Sequence, residues 1–216
     1  MNEVLYVVYL CLLFLLSLIA AYRYRITDKG TRFITWFIWL GLVTEIVARC
    51  AAKKYHNNLP VFNISCIIEW VLICGYFYFS IGRMRKDHIG IWFALAGIVA
   101  GGLNFLLQPI NRINANFLFL ECFGIVCMSL YGIYKLLEID DDNLRFSRKT
   151  QFWIPLILIL YQCGALWSWV MYDFYRATDK AATEHLQMLL LLNSIGTYGA
   201  LSVLYLLYPK MKRIYV

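Results

Sequence analysis

Long apolar runs alternate along this chain with short polar clusters, and the runs share one length. They lie at about 4–22, 33–50, 61–81, 89–108, 114–136, 152–173 and 186–208, each close to the roughly 20 residues an α-helix needs to cross about 30 Å of hydrocarbon. Between them stand RYRITDKGTR, GRMRKDH and EIDDDNLRFSRK. The pattern predicts an all-α membrane protein, a seven-transmembrane-helix bundle forming a single domain over residues 1–216. The longest connector, Leu137 to Gln151, is too short for a separate soluble domain, so any chemistry belongs to the bundle, its mouths or a partner.

The polar positions inside the runs recur at helical spacing. The second run places Gly41, Glu45, Ala48, Arg49 and Ala52 on one face; the third stacks Ser65, Glu69, Tyr76 and Ser80. The fourth aligns Gly90, Ala94, Gly97, Gly101, Asn104 and Gln108, including a G-x-x-x-G that lets another backbone approach closely. The fifth aligns Asn114, Glu121, Gly124 and Gly132, and the sixth Gln162, Ala165, Trp169 and Asp173. Polar groups that share a stripe with small residues mark interior faces. The first run, LYVVYLCLLFLLSLIAAY, has no such stripe; it is expected at the periphery, where Ser17 should tolerate leucine.

Composition sharpens the class: 62% of the residues are hydrophobic and 15% charged, against nearly half apolar and about a quarter charged in soluble domains. The start, MNEVLYVVYL, has no basic leader and no small-residue cleavage site, so the first run reads as a retained helix. A formal net charge of +7 reports topology here; no nucleic acid is expected. Of the 20 Lys and Arg, 14 fall in alternate connectors and the tail (Arg23, Arg25, Lys29, Arg32; Arg83, Arg85, Lys86; Lys135, Arg145, Arg148, Lys149; Lys210, Lys212, Arg213). Six lie on the other side: Arg49, Lys53, Lys54, Arg112, Arg176 and Lys180. Cytoplasmic loops carry the excess, which predicts an outside N-terminus and a cytoplasmic C-terminus in the cell's inner membrane. The basic tail and the connector after Leu137 then read as solvated anchors on anionic headgroups.

With that orientation, Glu45, Glu69, Glu121 and Asn193 fall about 8–12 Å below the outer surface at about 1.5 Å per residue; Gln162 lies near the midplane and Asn104 is shallower. The inner half carries almost no strongly polar group. A carboxylate in hydrocarbon costs roughly 2.5–3.5 kcal/mol on insertion scales, so three at matching depth point to an outward polar pocket built from Glu45, Arg49, Glu69, Asn104, Glu121, Gln162, Trp169 and Asn193. Glu45 and Arg49, four apart, are expected to pair, leaving Glu69 and Glu121 to share a proton, a cation or a ligand amine.

Several chemistries are argued down. The seven cysteines show no metal spacing and read as small apolar fillers. His56 and His185 lie on one side and His88 on the other, so no three-histidine zinc site is expected. The last run, LQMLLLLNSIGTYGALSVLYLLY, lacks a lysine for a retinal Schiff base and an N-P-x-x-Y receptor signature. There is no G-x-S-x-G, and no catalytic residue, metal or cofactor is expected. Asn63-Ile64-Ser65 matches a glycosylation pattern but lies at the membrane boundary. In size, topology and the N-N-L-P lead-in to a Glu-bearing third helix, the chain resembles small uncharacterised seven-helix membrane proteins of bacteria, a resemblance that implies no activity. The expected function is a receptor-like protein that binds a small polar or cationic ligand in the outward pocket and signals to a cytoplasmic protein partner. A proton- or cation-coupled transporter or channel is the alternative, followed by a membrane-embedded enzyme or assembly subunit.

Overall fold

The structure, a computed structural model, describes residues 3–138, 149–175 and 179–210, without the side chains of Tyr172, Asp173 and Lys180. Arg145, Arg148, Arg176, Lys212, Arg213 and the Asp173 carboxylate therefore lie outside the described residues. Among those residues are eight α-helices: α1 (Glu3–Arg23), α2 (Lys29–Tyr55), α3 (Leu59–Ser80), α4 (Gly82–Lys86), α5 (Ile89–Leu107), α6 (Ala115–Leu137), α7 (Thr150–Tyr175) and α8 (Lys180–Leu207). All but α4 are long and apolar enough to cross a membrane, and the chain is a multi-pass membrane protein. The apolar pattern located every span and missed α4, five residues in the charged GRMRKDH connector.

Capping chemistry sets the helix ends. Asp28 accepts a hydrogen bond from Thr31 N at 2.9 Å, so α2 starts a turn before its apolar run. Asn114 and Asp179 cap α6 and α8 in the same way, through Phe117 N and Ala182 N. Pro60 stands in the first turn of α3, where its missing N–H costs no intrahelical bond. At the other end of α2, His56 takes a left-handed conformation (φ 54°) and its N–H donates to Ala52 O, closing the helix.

Six spans form a ring in the order α1, α2, α3, α6, α7, α8, with α8 returning to α1. The seventh, α5, lies outside the ring on α3 and α6. This reverses two expectations. Helix α1 belongs to the ring: Tyr9, Leu13, Leu16, Ser17 and Ala20 are buried, so Ser17 is no surface position, and its backbone carbonyl accepts from Trp39 Nε1 at 3.3 Å. Its inward face is tyrosine and leucine, which a search for small and charged residues overlooks. Helix α5 is the peripheral one, although its glycine stripe packs as expected. A methyl group on Gly90 would press on Tyr78 and the Cys74 carbonyl, one on Gly97 would overlap the Trp70 indole, and one on Gly101 would meet Ile67 and Phe117.

The Glu3 ends of the helices enclose a cavity. Toward the Arg23 ends the ring is filled by Ile34, Ile38, Ile73, Phe77, Ile125, Leu201 and Tyr205, all buried. That half is not bare of polar groups. Tyr205 hydrogen-bonds with Thr35 Oγ1 at 2.8 Å and donates to Thr31 O at 3.2 Å. Tyr208 donates to Asp28 Oδ2 at 2.6 Å and accepts from Asp28 N at 2.8 Å. Tyrosines and threonines from α2 and α8 thus tie the two helices together there.

Candidate functional site: an acidic cavity

The stripes on α2, α3, α6 and α7 converge. Glu45, Glu69, Glu121, Gln162 and Trp169 line one cavity of about 290 Å³, a volume at the lower end of those that hold small molecules. Among the described residues, no Lys, Arg or His lines it. Coulombic interaction links Glu45 to Glu69 and Glu69 to Glu121. Among the described residues, no three His, Cys, Asp or Glu side chains are grouped so as to hold a metal ion.

The three carboxylates differ in their partners. Glu45, half-buried, accepts hydrogen bonds from Tyr6 Oη at 2.8 Å and Tyr9 Oη at 2.9 Å. Glu121 is 3% exposed, and its Oε1 has no hydrogen-bond partner among the described residues. Its neighbouring donor is the thiol of Cys66. Glu69 is half-buried, three residues and so just under one turn beyond Cys66 on α3. Glu121 is thus the buried acceptor left unsatisfied, a state that costs more for a charged group than the about 1–3 kcal/mol typical of neutral ones.

Three expected members stand elsewhere. Arg49 is exposed, stacks its guanidinium 4.3 Å from the Tyr6 ring centroid and donates from Nε to Tyr6 Oη at 3.0 Å. No direct Glu45–Arg49 ion pair forms; the Tyr6 hydroxyl stands between them. Asn104, carried outward with α5, donates to Asn114 Oδ1 and to Gln108 Oε1 and accepts from Asn116 Nδ2. That amide cluster fastens the α5–α6 turn. Asn193 donates to Tyr161 O at 2.8 Å, and its amide fills the space a side chain on Gly164 would need. It is interhelical glue.

The sequence reading passed over other wall residues. Tyr9, Tyr161 and Tyr198 face the cavity with Phe62 and Trp169, and the Tyr9 and Tyr198 rings lie 5.8 Å apart. Cys66 and Cys122, taken as apolar fillers, are wall donors, and Cys122 Sγ donates to Gln162 Oε1 at 3.0 Å. Tyrosine and cysteine count as hydrophobic in any apolar run, so their polar tips leave no mark on the pattern. Asn63 is buried, and its Nδ2 donates to Ile110 O at 2.8 Å and Arg112 O at 2.7 Å. An amide so occupied is no sugar acceptor.

Compared with known families, characterised proteins and solved structures, the chain matches none.

Proposed function

We propose that the chain is a receptor-like protein of the cell's inner membrane. It binds a small cationic ligand in a pocket open to the outside and passes a helix movement to a cytoplasmic protein partner. The observation that carries this reading is the cavity's acidic lining: three carboxylates, one buried with a free oxygen, and no basic side chain among the described wall residues. A ligand ammonium supplies the missing positive charge, and the rings of Tyr9, Tyr161, Tyr198 and Trp169 offer it cation–π contact.

The packing supports a receptor more than a carrier. Beneath the cavity the ring is filled by buried, mostly apolar side chains. Helix α8 carries Ser194 and Tyr198 at the cavity and Tyr205 at the far end, where Tyr205 and, just past the helix, Tyr208 bond Thr35 of α2 and its capping Asp28. A shift of α8 on binding therefore reaches that end through one rigid element.

The test is ethylammonium binding to purified protein in nanodiscs by calorimetry. Glu121→Gln and Glu69→Gln keep size and hydrogen bonding while removing charge and should each weaken binding about tenfold or more, as losing a charged contact does. Unchanged binding in both variants refutes the reading. In sealed liposomes the protein alone should show no proton or sodium flux, whereas flux abolished by Glu69→Gln would establish the carrier. The orientation is checked separately: a reporter active only in the cytoplasm should work at Val216 and fail after Lys53.

A further inference from the structure

The acidic cavity does not end at its own walls. A groove of about 540 Å³ runs between α6 and α7, and it shares Ile113, Leu118, Cys122 and Trp169 with the cavity. Its outer lining is Phe119, Leu120, Leu166 and Val170. Phe119 is 56% exposed and Val170 51%, so the groove opens on the flank of the bundle that faces lipid. Acidic groups at the inner end and hydrocarbon along the rest form a two-part site whose parts meet at Trp169 and Cys122.

Resting on the cationic-ligand reading above, we propose that the ligand is a cationic amphiphile borne by the bilayer. Its ammonium head lies in the acidic cavity at Glu121 and Glu69, and its hydrocarbon tail lies in the groove between α6 and α7. Two observations select this occupant. The free Oε1 of buried Glu121 is an acceptor waiting for a charged donor. The adjoining groove offers its tail mainly apolar contact, with Asn116 and Cys122 the polar exceptions. A small hydrophilic cation uses only the first, and an ordinary lipid chain only the second. Entry from the side also fits the ring, since a tail in the groove needs no passage through the tyrosine-lined mouth.

The experiment compares ethylammonium with dodecylammonium on the full chain in nanodiscs of fixed lipid composition, so that partitioning of the long amine cancels between variants. Val170→Trp and, as a second variant, Leu166→Phe place bulk in the groove without touching a carboxylate. Both should leave ethylammonium binding unchanged and weaken dodecylammonium about tenfold, the size expected when bulk is forced into an occupied site. Glu121→Gln should weaken both amines. If the groove variants bind dodecylammonium as the parent does, the groove holds only ordinary lipid and the amphiphile proposal falls, while the cationic pocket stands on its ethylammonium result. If neither amine binds the parent protein, both readings fall together.

Discussion

Replacing Gly97 by alanine adds one methyl group on the α5 face that lies against Trp70. That indole is 3% exposed, wedged between Gly97 of α5 and Gly124 of α6, and its Nε1 donates to Phe93 O at 2.8 Å. The new carbon would overlap Nε1 and its ring neighbours, so the ring must tilt and the hydrogen bond must break. Overpacking costs about 1–3 kcal/mol, and a buried donor left without its acceptor about 1–3 kcal/mol more. Alanine recovers about 1 kcal/mol of helix propensity. The net expectation is a loss of about 1–5 kcal/mol. Gly102 supplies the control, since a methyl group there meets nothing within 4 Å, and Gly102→Ala should stabilise by up to about 1 kcal/mol. Thermal unfolding in one detergent, followed by circular dichroism, reads both variants. In a Trp70→Leu background, itself destabilised by the cavity left behind, Gly97→Ala should cost less than in the parent, because the obstacle is then smaller. If Gly97→Ala melts with Gly102→Ala, the close packing of α5 on Trp70 is wrong.

The remaining tests reach three other places. Asp28→Ala removes both the α2 cap and the hydrogen bond that Tyr208 Oη donates to the Asp28 carboxylate and should cost about 1–3 kcal/mol; a melting temperature equal to the parent's would count against this tie between the α2 and α8 ends. Asn63→Ala frees the Ile110 and Arg112 carbonyls and should destabilise by about 1–3 kcal/mol, with limited proteolysis reporting earlier cutting between 108 and 114; an unchanged digest would refute the anchoring role. Tyr9→Phe takes one donor from Glu45 while Tyr6 keeps the other. Its expected signature is weaker ethylammonium binding with the helix content preserved, and a parent-like isotherm would remove Tyr9 from the site.

How much of this was legible in the sequence depended on which property each residue showed in a one-dimensional pattern. The spans follow directly from apolar length. The acidic cavity was also visible, because Glu45, Glu69 and Glu121 interrupt apolar runs and the helical repeat places each beside small residues. The position of α5 was not, since a glycine face says that a helix packs tightly and not whether it packs inside a ring or against its outside. Arg49 left the expected pair because Tyr6, from a helix read as peripheral, inserts its hydroxyl between the charges. Asn104 and Asn193 looked like pocket residues for the same reason as Gln162; only tertiary contacts separate an amide that lines a cavity from one that bonds a carbonyl. The groove beside the cavity had no sequence signal, being made of lipid-facing Phe, Leu and Val that every span carries.

Closure of the ring by α1 against α8 has a consequence for synthesis. Helix α1 leaves the ribosome just ahead of α2, and Tyr6 and Tyr9 can reach Glu45 within about 40 residues of chain (separations of 39 and 36). The wall that Tyr198 provides against Tyr9 must wait until α8 has been made. Until then one side of the acidic chamber stands open, and Cys66 on its wall can be reached by a thiol reagent. Nascent chains arrested before Lys180, with the other six cysteines replaced, should therefore label at Cys66 faster than finished protein. Equal labelling would show that the chamber closes without its last helix.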